Sequence, residues 1–282
     1  MAMNSWALVL IGCAFAWVGL TLGSFSNVVI YRYPHHMTVT DPPRSFCPQC
    51  HRQLAWYDNI PLLSYLLLGG RCRYCRAPIS RRYPLVELLG LLAFAVPFLV
   101  YCFGYPQLTY VFAFDYRSLL VAFIFLFLLN MAFIDHDTQE VPLGLSIPYA
   151  VLCVGLYVSQ AVISRDWLPS FLLSFAGLAL FLFLLWGCYR LLRNQEALGW
   201  GDILVLSFGA LATGFVGMLL MLFIASVSFL AFYLVTYRRL AKDGGSTEKL
   251  KETPFPFVPF IALGAVVGIL AGPVLESLLF VF

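Results

Sequence analysis

Apolar positions gather along this chain into long runs, and polar positions are confined to the stretches between them. Runs at about 5–30, 85–104, 117–134, 143–163, 168–192, 202–215, 217–237 and 257–281 approach the roughly 20 mostly apolar residues that a membrane-spanning helix needs. None alternates at strand period, so the pattern predicts an all-α polytopic helical bundle of about eight spans rather than a barrel. The sixth and seventh runs are continuous, and Ala212-Thr213-Gly214 is the place to divide them.

The segment 31–84 is the sizeable polar region, rich in Arg, Pro and Cys. It predicts a small cytoplasmic domain inserted between the first two spans. The chain then reads as a first span over 1–30, a Cys-rich domain over 31–84, and a multi-span membrane domain over 85–282. The charged loop 238–254, with Gly244-Gly245-Ser246-Thr247, is expected to be flexible.

Composition agrees with lipid as the solvent. Hydrophobic residues make up 61% of the chain and charged residues 11%, against about 25% charged in soluble domains. The formal charge of +3 matters less than where the charge sits. All of the 17 Lys and Arg except Arg117 and Arg165 fall in the 31–84 segment, just after the fifth span, or just after the seventh. With eight spans these loops share one side, which the positive-inside rule makes cytoplasmic, and both termini face outward. The first span lacks a basic leader and an A-x-A-like site, so a cleaved signal peptide is not expected. Lipid is the expected surrounding, and no nucleic-acid partner is expected.

Four of the eight cysteines form Cys47-Pro48-Gln49-Cys50 and Cys72-Arg73-Tyr74-Cys75, two C-x-x-C pairs near zinc-ribbon spacing. Each pair can wrap one side of a tetrahedral ion. A cytoplasmic setting disfavours disulfides, and a segment this short needs a staple to fold alone. A structural Zn2+ on Cys47, Cys50, Cys72 and Cys75 is the metal reading; a redox pair or unrelated thiols are the alternatives. Cys13, Cys102, Cys153 and Cys188 sit singly in spans and read as packing residues. His51 follows Cys50, but four thiols already complete a site.

An Asp at the centre of a span costs roughly 2.5–3.5 kcal/mol, so acids at membrane level are functional candidates. Asp135 ends the third run and Asp202 opens the sixth. Two spans separate them, so both emerge at one face. Two carboxylates held close share a proton, and the pair can activate a water and protonate a carbonyl. Gly199 and Gly201 would allow close approach of a peptide and positive φ. The alternative is two water-exposed helix caps. Asp137 rivals Asp135 but points elsewhere on a helix. Glu87 suits either a helix N-terminal position or a ligand contact, and Asn27 suits interhelical hydrogen bonding.

Several motifs then resemble, in order along nearly the whole chain, those of bifunctional prepilin peptidases. They are Gly23-Ser24-Phe25-Ser26-Asn27-Val28-Val29-Ile30-Tyr31-Arg32, the paired C-x-x-C motifs, Asn59-Ile60-Pro61-Leu62-Leu63-Ser64-Tyr65 running to Gly69-Gly70-Arg71-Cys72, and Arg82-Tyr83-Pro84-Leu85-Val86-Glu87-Leu88. Ile134-Asp135 with Val141-Pro142 is similar to the family's first aspartate motif. Gly199-Trp200-Gly201-Asp202 resembles the G-x-G-D motif shared with presenilin-type intramembrane proteases. Pro254-Phe255-Pro256-Phe257-Val258-Pro259-Phe260 resembles the closing motif.

The resemblance implies a bacterial inner-membrane enzyme with two activities. It would cleave the basic leader of type IV prepilins and type II secretion pseudopilins, then methylate the new N-terminal amine with S-adenosylmethionine. The family's catalytic aspartates fall on Asp135 and Asp202, and Asp135 is preferred to Asp137 by its distance from Val141-Pro142. The methyltransferase function goes with the first cytoplasmic domain, where Gly69, Gly70, Arg71 and Glu87 are candidates for binding the methyl donor. Three departures stand out: Leu143 where the family usually has Asp or Asn, apolar Ile203-Leu204-Val205 where it usually has a Lys, and Val258 where it usually has Gly. A proton-coupled transporter is the non-protease alternative, but its ionisable groups would lie near mid-membrane. A presenilin-like protease without methyltransferase activity would lack the first domain seen here.

Overall fold

The computed structural model describes residues 5–104, 116–164, 172–193, 199–242 and 255–279. Thr109, Asp166 and the Gly-containing loop from 243 through Pro254 lie outside the described residues.

Eight helices of more than one turn are described: α1 Ser5–Arg32, α2 Leu63–Leu67, α3 Arg82–Gly104, α4 Tyr116–Thr138, α5 Leu143–Ser164, α6 Gly177–Arg193, α7 Trp200–Lys242 and α8 Val258–Leu279. A π-helical turn, Leu172–Ala176, leads into α6. Among the described residues there is no strand beyond two isolated bridges. Seven of the described helices are long and apolar enough to cross a membrane.

The count of about eight spans is reconciled by α7. Its 43 residues would extend about 65 Å if straight, twice the roughly 30 Å hydrocarbon core. Gly214 interrupts it at φ 69°, ψ −178°, in the triplet where the apolar run was divided. That backbone region is open to glycine and strained for other residues.

The chain forms two compact units, Met1–Asn130 and Met131–Phe282. In the first, α1 packs along α3. Phe15 stacks obliquely on Phe98 at 5.0 Å between ring centres. Asn27 donates from Nδ2 to the Tyr83 carbonyl at 3.1 Å, the interhelical bond expected of it. Buried Asn130 of α4 donates to Ser26 Oγ at 2.9 Å. In the second unit, buried Tyr149 of α5 donates its hydroxyl to the Val205 carbonyl of α7 at 3.1 Å. Phe229 of α7 receives Phe257 and Phe260 edge-on, at 5.3 and 5.5 Å between ring centres, so the closing motif docks on the second half of α7. Cys153 is buried, as a packing residue should be. Cys13 and Cys188 are instead exposed on their helices, which places them on outer helix faces rather than in a core.

Candidate functional site

The first candidate site is built on the C-terminal turn of α4. Leu128, Met131, Ile134 and Asp135 are 0–4% exposed. They recur at helical spacing, so Asp135 lies on the buried face of α4. His136 and Asp137 are exposed, which separates Asp135 from its sequence neighbour. The helix closes on Gln139, at φ 57°, whose N–H returns to the Asp135 carbonyl at 2.8 Å. This is a left-handed cap without glycine.

Asp135 Oδ2 accepts the backbone N–H of Val258 at 3.0 Å, and the Phe257 amide also acts on it. Val258 is the first residue of α8 and fully buried. The carboxylate therefore sits at the positive end of a helix dipole. At this departure from the family pattern, the amide makes the contact and the side chain fills space.

Asp202 stands in the first turn of α7. Its carboxylate has the Gly199 backbone as hydrogen-bond partner and is close enough to Asp135 to interact with it electrostatically. The two predicted acids are thus brought together within one unit. Neither Gly199 nor Gly201 has positive φ, which corrects that expectation. The Gly201 backbone packs against Val141 in the loop after Asp135, where an added Cβ would lie 2.6 Å from Val141 Cγ2. Glycine is needed there for contact between the two aspartate motifs, not for turn geometry. Of the other departures, Leu143 is 66% exposed, while Ile203 and Val205 are buried in packing.

The second candidate site is the Cys-rich segment. The sulfurs of Cys47, Cys50, Cys72 and Cys75 lie within 4.8 Å of one another. The two knuckles are built alike. Cys47 N–H bonds the Arg52 carbonyl and Cys72 N–H the Ala77 carbonyl, at 3.0 and 2.9 Å. The residue after each second Cys, His51 or Arg76, has φ of 55° or 61°. His51 stacks on Phe46 and takes no part in the cluster. The Cys75 backbone N–H bonds the Cys72 sulfur and, against burial, draws that thiol down to about 7. Cys75 is pushed up to about 11: the Ala77 N–H lowers it, but desolvation and the other three sulfurs outweigh that. Four converging thiols, one already acidified, fit a tetrahedral zinc ion.

The four candidates for the methyl donor are not brought together. A cavity of about 430 Å³ lies beside the Cys cluster, and Glu87 lines it while Gly69, Gly70 and Arg71 do not. Gly69 and Gly70, at φ 59° and 66°, form the turn into the second knuckle. Glu87 is a clamp: Oε1 accepts the Ser24 hydroxyl at 2.8 Å and Oε2 accepts the Leu62 N–H at 2.7 Å. Leu62 itself has φ 60°, so Glu87 holds a strained residue in place.

Two further residues carry structure that the sequence did not announce. Arg32 is 4% exposed and its guanidinium donates to the carbonyls of Thr38, Val39, Pro42 and Arg44 at 2.7–3.4 Å. Asp58 has a side chain 2% exposed, with Oδ1 on Arg73 Nε at 2.7 Å. That bond holds the Arg73 guanidinium above its ordinary range. Asp58 Oδ2 is buried without a partner.

Known proteins line up with this organisation. Residues 17–101 match the model of the bacterial peptidase A24 N-terminal domain, and residues 122–234 match that of the type IV leader peptidase family. The chain is 37% identical to a prepilin leader peptidase/N-methyltransferase of Myxococcus xanthus, over 84% of its own length and 66% of that protein's. It is 34% identical to one from Burkholderia pseudomallei, covering 92% of this chain and 85% of the relative. A type 4 prepilin-like proteins leader peptide-processing enzyme of Escherichia coli is 36% identical, covering 89% and 90%. No solved structure matches the chain. With seven apolar helices among the described residues, a Cys cluster after the first, and relatives aligned along most of its length, the chain belongs to the type IV leader peptidase family, a family of aspartic peptidases.

Proposed function

We propose that this enzyme removes the basic leader from type IV prepilins and type II pseudopilins at the cytoplasmic face of the bacterial inner membrane, using Asp135 and Asp202, and then methylates the new amino terminus. The observation that carries the peptidase reading is Asp135 itself. It is a carboxylate 4% exposed at the end of an apolar helix, fixed by the Val258 amide and within electrostatic reach of Asp202.

A pair that shares one proton divides the work. The ionised member takes a proton from water as that water attacks the scissile carbonyl, and the protonated member donates to the carbonyl oxygen. The Val258 amide orients Asp135, and the Gly201–Val141 contact sets its distance from Asp202. A prepilin is an apolar helix with a basic leader, so its scissile bond falls at the membrane boundary, where these span ends lie.

Cys47, Cys50, Cys72 and Cys75 would hold zinc, which would cross-link a loop too short for a core of its own. The methyl donor, S-adenosylmethionine, would supply the methyl group within the Cys-rich domain. Gly69 and Gly70 shape that domain's turn, Arg71 follows them, and Glu87 ties the domain to α1 and α3. The assignment is tested by mass spectrometry of a co-expressed prepilin. Loss of the leader and a methyl mass increment on the new N-terminus are expected. An unprocessed prepilin would overturn the reading.

A further inference from the structure

We propose that the Trp56–Asn59 turn and α2 form an interfacial anchor, a surface of the Cys-rich domain seated in the headgroup–acyl boundary of an anionic bilayer. Such an anchor needs neither the peptidase nor the methyltransferase chemistry.

In sequence, Ile60 through Leu68 is an apolar island within the polar segment 31–84, with Ser64 and Tyr65 as its polar groups. It is far shorter than the roughly 20 residues that cross a bilayer. In a water-soluble domain these leucines would form the core. Here they turn outward. Leu63, Leu66 and Leu67 share one helix face, at spacings of three and four residues, and all three are exposed, Leu66 and Leu67 to 73% and 76%. Trp56, 79% exposed, stands in the turn that packs on α2. Adjoining apolar groups left open in this way mark an interaction surface. A tryptophan, with an apolar body and a polar N–H, suits a membrane interface.

The fold fixes the height of this surface. Leu62, immediately before α2, donates its N–H to Glu87 Oε2 at 2.7 Å. Glu87 lies in the second turn of α3, about 7–8 Å from the helix start, and α3 is long and apolar enough to cross a membrane. The start of α2 is therefore tied to the end of a span, at the membrane boundary, and is not held out in water. Leu85 and Leu88, on either side of Glu87, are exposed and continue the apolar surface along α3.

The segment is also prepared for a medium poor in water. The N–H groups of Ser64, Leu66, Leu68 and Gly70 each meet a carbonyl of the same segment at 2.9–3.0 Å. The Ser64 hydroxyl donates to the Ile60 carbonyl at 2.8 Å. With these polar groups satisfied, the segment can enter the lipid boundary at little desolvation cost.

Charge names the occupant. Segment 31–84 holds eight arginines and two acids, and Arg71, Arg76 and Arg81, which follow α2, are exposed. Anionic headgroups complement that charge. The basic leader of a prepilin, the competing occupant, would be repelled by it.

The test uses the full chain reconstituted in vesicles of phosphatidylcholine and phosphatidylglycerol. The signal of Trp56 is the difference in emission between wild type and Trp56→Phe. Phosphatidylcholine brominated high on its acyl chains should remove at least about half of that signal, because an interfacial helix reaches roughly 5–10 Å into the boundary, where those bromines lie. Aqueous iodide should quench it little. Leu67→Trp, added to Trp56→Phe, should respond in the same way. Leu66→Glu with Leu67→Glu should cut lipid quenching of Trp56 several-fold and open it to iodide. Variants are accepted when they elute and unfold thermally as wild type does. Quenching by iodide and not by brominated lipid, in wild type or at position 67, overturns the anchor. So does lipid quenching of Trp56 that disappears when purified prepilin is added, because the surface then belongs to the substrate.

Discussion

The Oδ2 of Asp135 accepts the amide of Val258 at 3.0 Å, so the start of the last helix fixes an acid carried on α4. That bond gives the closing motif a physical task. Val258→Pro deletes the N–H at a first-turn position where proline suits the helix. A hydrogen bond to a charged group is worth about 1.5–3 kcal/mol, so kcat for leader cleavage should fall roughly 10- to 100-fold. Val258→Ala keeps the amide and should stay within a few-fold of wild type. Equal losses in both variants, measured on purified prepilin, would show that packing matters here and the amide does not.

Asp135→Asn and Asp202→Asn should each lower cleavage by at least about 10²–10⁴-fold, the range for loss of a general acid or base. Asp137→Asn should retain most activity, since Asp137 lies on the exposed side of α4. Mass spectrometry of the processed pilin reads all three. Wild-type cleavage by the Asp202→Asn protein would falsify the dyad.

Gly201→Ala places a methyl group against Val141 and should push the two aspartate motifs apart. Cleavage should drop at least several-fold while the protein remains in the membrane. Adding Val141→Gly removes the obstructing side chain and should restore part of the activity. A double variant no better than the single would assign the defect to another cause.

Metal analysis of the purified chain should find about one zinc per molecule. Cys72→Ser with Cys75→Ser should lose it, together with folding free energy on the order of 10 kcal/mol contributed by the metal. Methylation should disappear, and cleavage should fall less. Methylation that survives without zinc would mean that the four thiols serve another purpose.

Reporter fusions after Gln53 and Lys249 should read as cytoplasmic, and fusions near Thr109 and Asp166 as periplasmic. A periplasmic signal at Gln53 would reverse the membrane orientation and remove the reducing environment assumed for the thiols.

The helices were legible because lipid demands long apolar runs, and span length follows from bilayer thickness. The break in α7 was legible at Gly214 for the same reason, since the run was too long for one crossing. The Cys cluster followed from spacing. The roles of Val258, Gly201 and Asp58 were not legible, each for its own reason. A backbone amide leaves no mark in residue type. In sequence Gly201 shows only the freedom of a glycine, because its partner Val141 lies far from it along the chain and on another element. Asp58 is one acid in a polar loop, and nothing in its neighbours distinguishes a buried oxygen from a solvated one. Glu87 stood between two readings, and its partners resolve what it does: it joins Ser24 to Leu62.

That join has a bearing on biosynthesis. Ser24 and Leu62 leave the ribosome before Glu87, so the nascent Cys-rich loop first emerges with the Leu62 amide unpaired. Only after α3 has followed can one carboxylate close on both partners. The Cys-rich loop is therefore completed by a residue translated after it, and its maturation waits on insertion of the second membrane helix.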